Sequence, residues 1–420
     1  MRSVAILSIA LLFACAHPVE APTARPDAGA EPIASIDATT DAATDAVFEP
    51  PAADAAISDA AFLDADNSAD AMTATASATI TIIRVHYPAG AHTIALRGSL
   101  APFSWNQGVS MRAEPDDVWT ISTASIAQPI EWKPLLDDST WSRGPNYTVS
   151  PGATVDVYPH FTQTKGQYAR AYDFTSTILG NTRGIWIYQP PTYLENTRAP
   201  MPVLYMHDGQ NLFDPSSAFG GNEWMVDETM DAAAEDGSIA EAIVIGIENT
   251  SARIDEYTPV ADPQYGGGAG ASYLRMIVEE LKPRIDREIR TLPDRAHTSM
   301  MGSSLGGLIS AYAGVTRADV FGRIGAMSPS TWWDARWLIG DVAMTPSAPR
   351  PILVYVDSGD SGPSNDDVTD TSDLAAQYRT IGYADGSTLD YVVQAGGQHN
   401  EIYWAQRLPA ALHFLLGPGR

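Results

Sequence analysis

Gly302-Ser303-Ser304-Leu305-Gly306 places one serine in a Gly-x-Ser-x-Gly frame, and the frame selects Ser304 over Ser303. Glycine at both flanks lets a strand turn abruptly into a helix, because a side chain there would strike the packed elements. A hydroxyl held clear of such a turn can attack an acyl carbon once a base takes its proton. The chemistry expected is acyl transfer through a serine ester. It requires a histidine, an orienting acid and two N–H donors for the developing oxyanion.

Of the eight histidines, His17 falls in an acidic N-terminal stretch, and His86, His92 and His160 in a strand-rich region or its border. His297 precedes the serine strand, and His413 sits among Leu412, Phe414 and Leu416 late in the last helix. His399, in Gly396-Gly397-Gln398-His399-Asn400-Glu401, lies after the final strand and is the expected base. The acid belongs between serine and histidine. The loop Asp357-Ser358-Gly359-Asp360-Ser361-Gly362, with Asn365-Asp366-Asp367 after it, offers Asp357, Asp360, Asp366 and Asp367. Asp360, beyond a glycine that turns the chain outward, is the expected acid, and the other three remain open. The N–H of Leu305 supplies one oxyanion donor, and Gly209 or Gln210, in Met206-His207-Asp208-Gly209-Gln210, the other. His207-Asp208-Gly209 lacks a second histidine at ligand spacing, so neither a metal nor a cofactor is called for.

Positioning these groups requires strands that alternate with helices. Ala169–Thr177 and Arg183–Gln189 read as an antiparallel pair, and Pro202–Met206 and Ala242–Ile247 as short buried strands. Helices are expected over Glu223–Glu235, Tyr273–Ile289, Leu305–Gly314 and Glu401–Leu416, the last interrupted or kinked at Pro409. Strands at Thr298–Gly302, Ile324–Met327, Ile352–Val356 and Leu389–Val393 complete a doubly wound α/β sheet over 163–420. Tyr265–Gly270, rich in glycine, reads as a flap or surface loop. Arg253 and Glu256 could pair at the rim or simply hold the turn after them.

Five segments carry a family resemblance: Tyr205-Met206-His207-Asp208-Gly209-Gln210-Asn211-Leu212-Phe213, Arg253-Ile254-Asp255-Glu256-Tyr257-Thr258-Pro259, Gly302–Gly307, Ser328-Pro329-Ser330-Thr331-Trp332-Trp333 and Gly397-Gln398-His399-Asn400-Glu401-Ile402-Tyr403-Trp404. Together they resemble the esterase family of α/β-hydrolases that includes esterase D, feruloyl and enterochelin esterases. The resemblance implies an α/β-hydrolase fold, with Ser304 and His399 catalytic and Trp332 and Trp333 lining a substrate pocket; on the residues alone, one of the two tryptophans could cap a pocket while the other packs as core. The acid loop departs from the family pattern in length and in its number of carboxylates.

The rest of the chain bears on location and partners. A net charge of −26 argues against nucleic acid and anionic lipid. Met1-Arg2 followed by the apolar run Val4–Phe13 reads as an export signal over 1–15. Cys15, the single cysteine, stands where a bacterial lipobox places its lipidated residue; Ala14-Cys15-Ala16 competes as a cleavage site that would release a secreted protein. A lipid at Cys15 is the one membrane attachment expected, which makes the protein an envelope lipoprotein. Residues 16–76 are rich in Ala, Asp, Thr and Pro, with Arg25 as their one basic residue, and read as a disordered tether. Short strands over 77–162, with Trp105, Trp119, Trp132 and Trp141, resemble an early-set or carbohydrate-binding β-sandwich. The expected activity is an exported serine carboxylesterase acting on small-molecule or polysaccharide-linked acyl or feruloyl esters. Siderophore esterase, envelope acyltransferase and an inactive surface-binding protein are the alternatives.

Overall fold

The computed structural model describes residues 79–343 and 352–418. The expected export signal, Cys15 and the tether lie outside these residues. Two antiparallel-rich sheets come first and enclose one core. The strand Thr81–His86 alternates buried and half-buried residues, sending Ile83 and Val85 inward. It sits between Val118–Thr123 and Thr154–Val157. A second sheet centres on Ile94–Gly98 and Ile130–Leu136, whose Leu96 and Trp132 meet Ile83 and Val85 in the shared core. The four tryptophans of this region part company. Trp132 is fully buried, and Trp119 donates its indole N–H to the Tyr87 carbonyl at 3.2 Å. Trp105 and Trp141 lie at the surface, their rings 6.0 Å apart.

An eight-stranded sheet follows. Its strands are β1 (Gln167–Thr175), β2 (Thr182–Gln189), β3 (Val203–His207), β4 (Ile243–Ile247), β5 (Thr298–Ser303), β6 (Arg323–Met327), β7 (Leu353–Gly359) and β8 (Leu389–Gln394), in the spatial order β1-β2-β4-β3-β5-β6-β7-β8. β1, β2 and β4 pair antiparallel, and β3 to β8 are parallel with β4. Every residue of β3, β4, β5 and β6 is buried, as a sheet covered on both faces requires. Alternation along β3 divides the two cores: Val203 and Tyr205 join Ile245, Met300 and Leu308, whereas Leu204 and Met206 join Val244, Met301 and Leu412.

Helices α1 (Val226–Asp236), α2 (270–288), α3 (Leu305–Thr316), α4 (Val368–Thr380) and α5 (Glu401–Leu416) cover the sheet. α3 is nearly all buried and rich in small residues; a Cβ on its Gly314 would lie 3.0 Å from the Ile324 side chain. α5 runs as one helix through Pro409, so of the interruption or kink expected from the sequence the interruption is not found. Leu408, Leu412 and Leu415 are buried along its inner face. At about 1.5–3 kcal/mol for each such side chain, their packing outweighs the roughly 3 kcal/mol that an internal proline costs. Tyr265–Gly270 is more ordered than expected: Gly266–Gly267 pairs with Ala261–Asp262, and Tyr265 lies against Trp332 and Trp333. Parallel strands direct their C-terminal ends to one edge, and there the loops after β3, β5, β7 and β8 converge.

Candidate active site

Ser304 follows β5 and precedes α3 with φ 58° and ψ −125°, a backbone conformation that costs a non-glycine residue about 1–3 kcal/mol. Neighbouring atoms hold it there. Its N–H donates to the Met327 carbonyl at 3.0 Å, and its own carbonyl accepts from Leu308 and Ser330, both at 3.0 Å. Two glycines beside the serine, Gly302 of the frame and Gly307 just after it, are required by contact. A Cβ on Gly302 would lie 2.9 Å from the His207 ring, and one on Gly307 would lie 2.8 Å from the Met327 carbonyl oxygen. The Ser304 hydroxyl is 3.4 Å from that of Ser330.

Ser304 and His399 line one cavity of about 490 Å³, together with Asp208, Gln210, Phe219, Asn249, Arg253, Glu401 and Trp404. The His399 Nδ1 lies 2.6 Å from Asp366 Oδ1, and the edge of Trp404 packs on the imidazole at 5.0 Å between ring centres. The carboxylate on the base is therefore Asp366, and the expectation of Asp360 is corrected. Asp360 instead accepts the Gly396 N–H at 2.6 Å and ties down the loop that carries His399. Asp357 is buried beneath Ser328 and the Tyr355 hydroxyl, and Asp367 accepts from Thr331 at 3.0 Å. What turns Asp366 inward is a run of left-handed residues, Asn365, Asp366 and Asp367, with φ of 48°, 48° and 58°. Asn and Asp tolerate that region better than most residues, and their clustering is the sequence signal that points to this turn.

Burial works to raise the Asp366 pKa, but hydrogen bonds from His399, the Gly359 N–H and Ser328 outweigh it and hold the carboxyl below 3.8. Ser328 donates to Asp366 at 2.7 Å, and itself accepts from Trp404 Nε1 at 3.0 Å and from buried Arg407 at 2.6 Å. An ionised acid so held favours the imidazole tautomer with Nδ1 as donor, which leaves Nε2 able to accept a proton.

The loop after β3 borders the cavity where the second oxyanion donor is expected. As the first residue of α3, Leu305 has no intrahelical acceptor for its N–H. Of the two alternatives Gly209 and Gln210, Gln210 lines the cavity and Gly209 lies beneath it. A Cβ on Gly209 would fall 2.5 Å from the Gly246 carbonyl carbon and 2.7 Å from Ile247 N. Gly209→Ala is expected to destabilise the fold by about 2–3 kcal/mol, because β4 must move to admit the methyl group. A urea unfolding curve measures the loss.

Asp208 anchors this loop by accepting a two-pronged hydrogen bond from Arg253, both contacts at 2.8 Å, and a third from Asn249 at 2.6 Å. The pairing of Arg253 with Glu256 considered from the sequence is not formed. Glu256 pairs with buried Arg183 at 2.8 Å. Trp332 and Trp333, expected to line the pocket, are absent from the walls of this cavity. Trp333 is core and donates to the Val260 carbonyl at 2.9 Å, while Trp332 is exposed beside Tyr265. In their place the aromatic walls come from Phe219 and Trp404. Phe219 and Asn249 carry no motif of their own, which is why the sequence did not single them out, and Glu401 enters only as part of the segment around His399.

His207 packs under the elbow against the rings of Tyr257 and Tyr273, with its Nδ1 3.0 Å from the Tyr273 hydroxyl. Burial pushes its pKa from 6.5 down to about 3. The unfolded chain therefore takes up a proton near pH 6.5 that the folded chain refuses until about pH 3. The stability associated with neutral His207 is complete above pH 6.5 and is lost on acidification at about 1.4 kcal/mol per pH unit. His207→Gln is expected to flatten the fall in unfolding free energy between pH 6.5 and 4.5, measured by urea titration at each pH.

A strained serine between a parallel strand and a helix, with its partners on the later strand ends, defines an α/β-hydrolase. The family model "Esterase: Putative esterase" matches residues 176–415, more than half of the chain. The chain belongs to this esterase family, and it is an ester-hydrolysing enzyme. It is 27% identical over 254 residues to the uncharacterized protein YbbA of Bacillus subtilis, covering 57% of this chain and 95% of YbbA. It is 28% identical over 202 residues to the ferri-bacillibactin esterase BesA of the same organism, covering 43% of this chain and 65% of BesA. It is 24% identical over 246 residues to an endo-1,4-beta-xylanase/feruloyl esterase of Xylanibacter ruminicola, covering 54% of this chain and 32% of that protein. The chain thus spans less than two thirds of two of these three relatives.

Proposed function

We propose that the protein is an exported serine carboxylesterase that cleaves acyl or feruloyl esters on carbohydrate through an acyl-enzyme. The observation that carries this reading is the placement of strained Ser304 and the Asp366-bound His399 on one cavity. Ser304 Oγ attacks the ester carbonyl while His399 Nε2 accepts its proton. The N–H groups of Leu305 and Gln210 hold the oxyanion, and His399 passes the proton to the leaving alcohol. Water, deprotonated by His399, then attacks the acyl-serine and releases the acid.

Feruloyl ester hydrolysis is named for the Xylanibacter relative, and siderophore ester hydrolysis for BesA. Charge favours the first class. The chain carries −26, and within the cavity Arg253 is already neutralised by Asp208 while Glu401 stands beside His399, so a neutral ester is better received than an anionic one. A panel of esters with matched acyl and alcohol halves tests this. Turnover of feruloyl or acetyl sugars above that of catecholate siderophore esters is the expected result, and the reverse order sinks the carbohydrate reading. Export rests on Met1–Phe13, and lipid attachment on Cys15. Cells fed an alkynyl palmitate are expected to label the protein, with loss of label in Cys15→Ser.

A further inference from the structure

Glu401 opens α5 directly after the Asn400 cap, two residues beyond His399, and its side chain lines the catalytic cavity. Among the described residues, no other residue gives its carboxylate a hydrogen bond or an ion pair, although the other cavity carboxylate, Asp208, is fully engaged by Arg253 and Asn249. Burial raises the Glu401 pKa above 4.5, opposed by a hydrogen bond from its own backbone N–H and by the His399 and Arg253 charges, with the Asp208 charge adding. Its own backbone N–H uses only part of the acceptor capacity of this partly desolvated carboxylate, and the cavity is the side from which a further donor can reach it.

Which half of the substrate meets Glu401 follows from the chemistry of the cavity. The carbonyl oxygen points to the N–H groups of Leu305 and Gln210. The leaving oxygen must point to His399, which protonates it, and Glu401 borders that side. We infer that Glu401 is a specificity-determining residue for the alcohol half, accepting a hydrogen bond from a hydroxyl that neighbours the ester oxygen. The alcohol it selects is a neutral polyol, such as a sugar unit, over a simple alkyl alcohol. Trp404, one turn along the same helix and also on the cavity wall, gives the carbon face of such a ring an apolar surface. This inference rests on the esterase reading above and adds the residue that reads the alcohol.

The test compares kcat/KM for one acyl group, acetyl, on xylose, on methanol and on choline. Wild type is expected to prefer the xylose ester. Glu401→Met keeps the side-chain length but no acceptor oxygen, and is expected to lower the xylose-to-methyl ratio by roughly 10- to 100-fold. Glu401→Gln keeps an acceptor and is expected to hold the ratio within a few-fold of wild type. Fluorophosphonate labelling of Ser304 in each variant verifies that the elbow is intact. An unchanged ratio in Glu401→Met overturns the inference while leaving the esterase reading in place. A wild-type preference for the choline ester that Glu401→Gln abolishes also overturns it, by making Glu401 a cation site. Absence of turnover on every ester by labelled wild type overturns both.

Discussion

Replacing Ser304 with alanine is expected to lower kcat on p-nitrophenyl acetate by on the order of 10⁴–10⁶-fold, leaving a remnant owed to binding and the oxyanion donors. The size of the effect follows from the elbow. Ser304 is held at φ 58° by contacts with Met327, Leu308 and Ser330, so its hydroxyl is presented at the cavity rather than drawn into α3. Neighbouring Ser303 cannot substitute for it. Ser303 is the last residue of β5 and is buried to 4% exposure, with no elbow of its own. Alanine relieves none of the backbone constraint, so the variant should fold with near-wild-type stability and lose only the chemistry. Retention of more than a tenth of the activity would remove Ser304 from the mechanism.

Asp366→Asn is expected to cost about 10⁴-fold in kcat, and Asp360→Asn less than about fivefold. An amide at position 366 can present its N–H₂ to His399 Nδ1, which forces the proton onto Nε2 and leaves the ring unable to accept from serine. It also discards the negative charge that stabilises the imidazolium. Asparagine at 360 keeps the oxygen that accepts from Gly396, so the loop bearing His399 stays in place. Measured side by side, the two variants separate a carboxylate that acts on the imidazole from one that anchors the chain near it. A larger loss at 360 than at 366 would reverse the assignment.

These two cases show where the sequence was legible. Gly302 and Gly307 beside Ser304 are dictated by contacts with His207 and Met327 that a Cβ would violate, and such demands leave a fixed spacing in the chain. His399 was legible from order alone, because a loop between the last strand and the last helix has one place to go. The acid was not. Four carboxylates crowd 357–367, and the choice among them depends on which one meets the donors of Ser328, Gly359 and His399, two of which come from distant parts of the chain. Which of Trp332 and Trp333 packs as core was not legible for the same kind of reason. Adjacent aromatic residues leave a turn in different directions, and Trp333 finds its hydrogen-bond partner at Val260 rather than a ligand. The cavity walls come largely from the motif segments, and Phe219 and Asn249, which lie outside them, are brought there by the fold alone.

Glu195 ends the short helix Pro191–Glu195 that follows β2. Its carboxylate accepts from the Tyr87 hydroxyl, the N–H groups of Phe161, Thr162 and Gln163, and the Thr162 hydroxyl, all within 2.8 Å. Asn196, next in the chain, adds bonds to the carbonyls of His86 and Pro159 at 2.8 and 2.9 Å. A protein engineer reading the composition would cut the chain near residue 162 and expect two independent parts. The cut would strand one carboxylate that had been shared by five donors, and would leave the first sheets without the surface that completes them. The boundary visible in the sequence is a change of architecture, not a joint: the molecule should melt in one step, and whatever the N-terminal sheets hold is carried at a fixed distance from the serine.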